Sequence, residues 1–401
     1  MTGHRGHATG RIDLARIEDE DARLQALVAE PDRAGRIARE LAAAPAGPLH
    51  GVPVGVKDLM HVDGLGTAAG SRLPPAELAG PEAAAVSLLR AAGAVVLAKT
   101  VTTEFALFAP GPTRNPRNPG HTPGGSSSGS AAAVAAGFCP LALGTQTCGS
   151  VIRPAAYCGV VGYKPSYGRI STGGALLVAE SFDTVGLFAA DLAWVERAAP
   201  VLCSWWRPVG VLPAPVLARP DGPYLGQATE EALVVLDGLD ATPVPLFADI
   251  ERINADHHRL MRFELARNHA RWYPRLAECY HPSTVAAIRD GLEVDPAEAA
   301  QIRRGRLELR ARIHATMDAA GADLWVCPAA SGPAPAGLAS TGDPNLQLPW
   351  THAGLPAVTL PRATAAGGLP LGLQLVGRFM DDERLLAWAA QLVRRTAAVR
   401  A

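Results

Sequence analysis

Only three side chains of this chain could supply a neutral amine: Lys57, Lys99 and Lys164. The other 34 basic residues are arginine, which keeps its proton at any workable pH. Hydroxyl groups crowd into two stretches, TPGGSSSGSAAAVAAG (122–137) and GTQTCGSVIRPAAYCGVVGYKPS (144–166). A serine hydroxyl near neutral pH is a weak nucleophile and needs a neighbouring base. A Gly-Gly-Ser-Ser-Ser-Gly loop that opens a helix could also be an anion nest or a linker. A P-loop would need a following Gly-Lys-Ser/Thr, which is missing. No lysine stands three residues after a serine, so a Ser-x-x-Lys pair fails too.

The remaining reactive types offer less. The six cysteines (Cys139, Cys148, Cys158, Cys203, Cys279 and Cys327) form no Cys-x-x-Cys pair. They read as reduced thiols of a cytoplasmic protein, not as a disulfide frame or a zinc site. The eleven histidines contain no His-Glu-x-x-His, and each reads as a core or surface residue. No metal and no cofactor is expected.

The elements that must position these groups follow an α/β rhythm. Residues 11–45 read as helical, and GPLHGVPVGVKDL (47–59) as a strand leading into a loop. PEAAAVSLLRAAGAVVLAKT (81–100) reads as a helix, a glycine turn and a buried strand over Ala94–Ala98. Residues 109–130 form a long Pro/Gly/Ser/Asn loop, and long loops inside compact domains are usually functional. SAAAVAAGF (130–138) predicts a tightly packed helix and PLALGTQT (140–147) an apolar strand ending in polar residues. Strand-like runs return at 321–329, 355–361 and 368–377, and 381–395 reads as a closing amphipathic helix. Residues 190–320 are more charged, with helical period at 252–279 and 297–320. The expectation is one α/β domain over 1–401, with a variable helical section at about 190–320 lining the pocket.

Composition excludes several classes. With 48% apolar and 19% charged residues the chain is folded, and its net charge of −1 gives no nucleic-acid footprint. Aromatics at 5% leave little for base stacking. No apolar run reaches the about 18 residues of a membrane helix, and the N-terminus shows no apolar leader.

Three elements taken together are far more specific: GVPVGVKD with Lys57, GGSSSGS with Ser126, and TCGSVIRPA with Ser150. The two serines are 24 residues apart. This combination resembles the amidase signature family, and most closely its malonamidase-like branch. The resemblance is strongest over 47–187 and returns in GLASTGDP (337–344) and GLPLGLQLVG (368–377). It implies one α/β domain with a mixed, mostly parallel sheet between helices. It implies a Ser–cis-Ser–Lys triad in which Ser150 is the nucleophile, Ser126 follows a cis bond to Gly125, and Lys57 is the base. Backbone N–H groups of Thr147, Cys148, Gly149 and Ser150 would form the oxyanion hole. Gly125, Ser127 and Arg153 would bind substrate, with the Arg153 guanidinium suited to a carboxylate or, alternatively, held in a structural ion pair.

The chemistry fits these roles. Lys57 must fall from about 10.4 towards 7, and the apolar VPVGV run before it suits such burial. Asp58 is the competitor that could keep Lys57 charged, but the resemblance implies that it stands where it does not silence the lysine. Cys148 as nucleophile is the lesser reading, because Ser150 matches the pattern; a positive φ at Cys148 would strain the oxyanion turn. Asp183 in SFDTVG is expected to order the loop or to be structural, Gln374 to support the core, and Lys99 and Lys164 to take no catalytic part. The implied function is hydrolysis of a small amide, one that could carry a carboxylate, through an acyl-enzyme. The alternatives are an acyltransferase or amidotransferase on the same triad, or an inactive binding homologue. No nucleic-acid or membrane partner is expected, and a homodimer is left open.

Overall fold

The computed structural model describes residues 12–400. The first 11 residues, where a leader was sought, lie outside them. A ten-stranded mixed sheet runs through the molecule in the order β2-β1-β3-β5-β4-β9-β10-β8-β6-β7. Its first five strands are β1 (Pro53–Lys57), β2 (Val95–Thr100), β3 (Leu141–Gln146), β4 (Val161–Lys164) and β5 (Thr184–Ala189). The others are β6 (Leu217–Asp221), β7 (Ala241–Pro245), β8 (Leu324–Pro328), β9 (Ala357–Thr364) and β10 (Pro370–Val376). Parallel ladders form both flanks, β2-β1-β3 and β8-β6-β7, and an antiparallel run fills the middle.

β2, β3 and β8 are buried along their whole length, which is why they read as continuous apolar runs without alternation. The sequence 11–45 is two helices, Leu14–Leu24 and Arg33–Ala43. Gln25 ends the first in a left-handed conformation, and Ala26 and Leu27 donate to the Asp21 carboxylate, so the chain turns there. The stretch 151–165 divides into a short helix, Ile152–Cys158, and β4, separated by Gly159 at φ +64°. The section 190–320 supplies the long helices Ile250–Asn268 and Pro296–Ala320. The first of these buries Leu260, Met261 and Leu265 in a second apolar cluster beside Phe182. Among the described residues no helix is long and apolar enough to cross a membrane.

Candidate active site

β1 and β3 are parallel neighbours, with Val56 opposite Leu143. Their carboxyl ends therefore lie side by side, where open α/β sheets place their ligands. β1 ends at Lys57, which is fully buried. Its Nζ donates to Ser126 Oγ at 2.8 Å and to Thr145 Oγ1 at 2.8 Å. Burial pushes the Lys57 amine down to about 7 from 10.5, against the pull of the Asp183 carboxylate. A substantial neutral fraction at neutral pH follows, so this amine can accept a proton.

Ser126 arrives on the loop that leads into the helix Ser128–Ala135. The Gly125–Ser126 peptide bond is cis. Gly125 has no room for a side chain: a Cβ there would stand 2.6 Å from Thr341 Cγ2. Ser127 does something other than face a ligand. Its hydroxyl is fully buried, donates to the Thr145 carbonyl and accepts from the Thr145 N–H. The side chain thus clamps the serine loop to β3, which corrects its expected role as a substrate contact.

Ser150, 6% exposed, sits in the turn between β3 and the helix Ile152–Cys158. Three side chains brace this turn. Gln146 Oε1 accepts from the N–H groups of Val151 and Ile152, capping the helix, while its Nε2 donates to Thr351 Oγ1 at 2.9 Å. Thr351 Oγ1 in turn donates to the Cys148 carbonyl at 2.8 Å. Thr147 Oγ1 donates to Asp183 Oδ1 at 2.5 Å, and Asp183 Oδ2 accepts from Val178 and Ala179. Burial pushes the Asp183 carboxyl up to about 6, against the Thr147 bond, the two backbone donors and Lys57. Asp183 therefore orders the turn. Among the described residues, the N–H groups of Cys148, Gly149 and Ser150 donate to no protein acceptor. Cys148 is not among the residues with positive φ, so the turn carries no such strain. Gly149 is required by packing, because a Cβ would lie 2.5 Å from Gln347 Oε1 and 3.2 Å from Arg153 Nη1.

Arg153 is 4% exposed. Its Nη2 donates to the Gly125 carbonyl at 2.8 Å and to Thr341 Oγ1 at 3.3 Å. Its Nε and Nη1 are buried without a partner. Among the described residues no carboxylate lies within ion-pair distance of it. A buried guanidinium with unspent donors is costly unless something else satisfies it. The ion-pair alternative for Arg153 is thereby removed.

Asp58 is turned away from Lys57. Its Oδ1 stands 2.8 Å from Lys99 Nζ in a buried ion pair, and its Oδ2 accepts from Ala68 and Ala69. Lys99 thus silences the competitor. Gln374 is buried in the sheet and donates to Cys327 Sγ, a core contact. Reading the sequence missed Thr145, Gln146, Thr341 and Thr351. The one available signal was the polar end of an otherwise apolar strand, Thr145-Gln146-Thr147.

The amidase family profile matches residues 12–221 and 277–386. The chain belongs to the amidase family. It is similar to the A subunit of glutamyl-tRNA(Gln) amidotransferase from Thermus thermophilus, at 35% identity over 96% of this chain and 92% of that one. The corresponding protein of Synechococcus sp. (strain CC9605) is 33% identical, covering 94% of this amidase and 90% of the relative. Among solved structures, a crystal structure of an amidase superposes with a TM-score of 0.84 at 32% identity, over 95% of this chain and 94% of that one. The peptide amidase of Stenotrophomonas maltophilia superposes at 0.75 with 27% identity, over 96% and 92%.

Proposed function

We propose that this amidase cleaves the C–N bond of a small amide at Ser150, through an acyl-enzyme. The observation that carries the reading is the buried Lys57 amine, 2.8 Å from Ser126 Oγ and lowered to about 7. Lys57 takes the proton of Ser126 as Ser126 takes that of Ser150. The Ser150 oxygen bonds to the amide carbon, and the negative oxygen that results is held by the N–H groups of the Thr147–Ser150 turn. The C–N bond then breaks as the proton returns through Ser126 to the leaving nitrogen. Water frees the acid by the same route in reverse.

The unspent Nε and Nη1 of Arg153 support a substrate that carries a carboxylate, since a planar guanidinium binds one through two parallel hydrogen bonds. A malonamidase-like substrate range agrees with that donor set.

The relatives support a second reading more strongly than simple hydrolysis. Those named as amidotransferase subunits would use the same bond cleavage and pass the nitrogen to an acceptor. Ammonia release separates the two. The purified chain is offered glutamine and dicarboxylic monoamides, with and without hydroxylamine, while sizing reports whether it acts as a monomer, a homodimer or part of a larger assembly. Rapid ammonia release to water by the chain alone supports hydrolysis. Silence alone, with activity restored by partner subunits, supports transfer. Absence of Ser150 labelling by a fluorophosphonate in the folded protein ends both.

A further inference from the structure

Cys148 stands in the turn that carries the unspent N–H donors, and its side chain has unusual company. Its Sγ lies 3.5 Å from His257 Nε2 and 3.6 Å from Met261 Sδ. His257 and Met261 are four residues apart on the helix Ile250–Asn268, so they occupy one helix face. Both are buried, at 0% and 2% exposure, while Cys148 keeps some access. Among the described residues no group of three or more His, Cys, Asp and Glu could hold a metal. The thioether completes a set that those four types alone do not make.

We propose that Cys148, His257 and Met261 form a binding site for a soft monovalent metal ion, Cu(I), whose occupancy stops the enzyme. Donors that share one metal at about 2.0–2.3 Å stand roughly 3.5–4 Å from each other, and the two measured separations already match. Thiolate and thioether select soft ions, and none of the three donors is a carboxylate that would favour a hard one. The imidazole turns its Nε2 towards the sulfur, and its Nδ1 has no hydrogen-bond partner among the described residues. Phe182 stacks on it at 4.0 Å and fixes the ring.

Charge selects the ion's valence. Binding releases the Cys148 proton to solvent and forms a sulfur–copper bond with no change of oxidation state. A thiolate with a monovalent ion is neutral overall. A divalent ion would leave a net positive charge in a dry site, where the nearby charges of Arg153 and Arg262 are only partly opposed by that of Asp183. The ion would tie the catalytic turn to the helix Ile250–Asn268 beside the oxyanion donors. Inhibition rests on the amide-cleavage reading; binding does not.

The test uses the full chain, kept anaerobic, with Cu(I) supplied as its acetonitrile complex against a chromophoric Cu(I) chelator. The expected result is one ion per chain, two sulfur scatterers and one nitrogen by X-ray absorption, and loss of ammonia release on loading. Met261→Leu keeps volume and basal ammonia release, and it weakens Cu(I) by more than the about 10–100-fold that outer-shell partners cost. Cys148→Ser abolishes the site, whereas Cys279→Ser leaves it intact. Circular dichroism confirms that each variant folds. Wild type that loses its Cu(I) as readily as Cys148→Ser, or Met261→Leu that binds as tightly as wild type, overturns the site. Binding as expected without any change in ammonia release overturns the inhibition. A protein that binds Cu(I) but cleaves no amide under any condition faults the amide reading and not the site.

Discussion

Lys57 and Lys164 are buried to the same degree, and burial pushes both amines down to about 7. Their surroundings differ. Lys57 ends β1 and meets two hydroxyls, Ser126 and Thr145. Lys164 ends β4, donates to the Pro165 carbonyl at 2.8 Å, and has no hydroxyl partner among the described residues. Desolvation makes either one a base on paper. Only Lys57 has a proton within reach to take. The comparison teaches that a lowered pKa is a necessary property of the proposed base and not an identifying one. Lys99 makes the complementary case. It too is buried, yet Asp58 opposes the effect of burial by pairing with it.

The largest effect that sharpens this contrast is Lys57→Ala. General-base removal is worth about 10²–10⁴ in rate, and here the same amine also serves the return proton, so a loss at the upper end is expected. Ammonia release from the folded variant measures it. A residual rate within tenfold of wild type would break the comparison at once. Arg153→Ala comes next: kcat/KM for carboxylate-bearing amides falls by roughly 10²-fold, against little change for neutral amides, since a buried charge-assisted pair contributes about 2–3 kcal/mol. A pH profile follows from Lys57 itself. Activity should rise about tenfold per unit up to a bend near 7 and level above it, because only the neutral amine accepts a proton. A flat profile between 5.5 and 8, for a chemistry-limited substrate, would detach Lys57 from the reaction.

The proposed triad was legible in the sequence through the three motifs that carry the family resemblance, and chemistry narrowed the residue types that could fill its roles. A neutral amine had three candidates; two of them, Lys57 and Lys99, precede the serine pair, and the GVPVGVKD motif picks out Lys57. The Gly125, Ser126 and Ser150 stretches were legible as motifs for the same reason. What stayed hidden was the bracing. Gln146, Thr351 and Thr341 are polar residues whose role depends on which strand end or loop faces them, and Gln146 meets Thr351 across 205 residues of chain. Local pattern holds no record of that distance. Ser127 was misjudged on the same ground: beside Ser126 in sequence, it faces the Thr145 main chain in space. That Asp58 leaves Lys57 free was implied by the resemblance, but its partner Lys99 was not, because alternation along a strand puts neighbours on opposite faces without saying which partner waits there.

A stability measurement tests the Lys99 arm of the comparison. Lys99→Met leaves the Asp58 carboxylate buried with only the two backbone donors, and breaking such a pair costs about 3–5 kcal/mol. Denaturant unfolding reads the loss. Adding Asp58→Asn should recover much of it, because the orphaned charge goes. If the double variant is no better than the single one, the cost lies in packing and not in charge.

The smallest effect is the most specific. Lys164→Met should leave ammonia release within about threefold of wild type, as a substitution outside the reacting groups does. Its signature is in stability against pH. The folded amine has a value near 7 and the unfolded one near 10.5, so between those limits the unfolded chain binds the extra proton. Stability therefore rises with pH across that window by up to about 1.4 kcal/mol per unit for each such lysine, and the gain is absent below 7, where both states are protonated. Lys57→Met and Lys164→Met should each remove one proton's share of that slope, measured as unfolding free energy from pH 7.5 to 9.5. They should match in slope and differ by orders of magnitude in activity. Equal slopes with unequal activities are what desolvation without a hydroxyl partner requires. A Lys164→Met variant whose slope equals that of wild type would mean that Lys164 keeps its proton in the folded chain. The likeness between the two lysines would then end at burial.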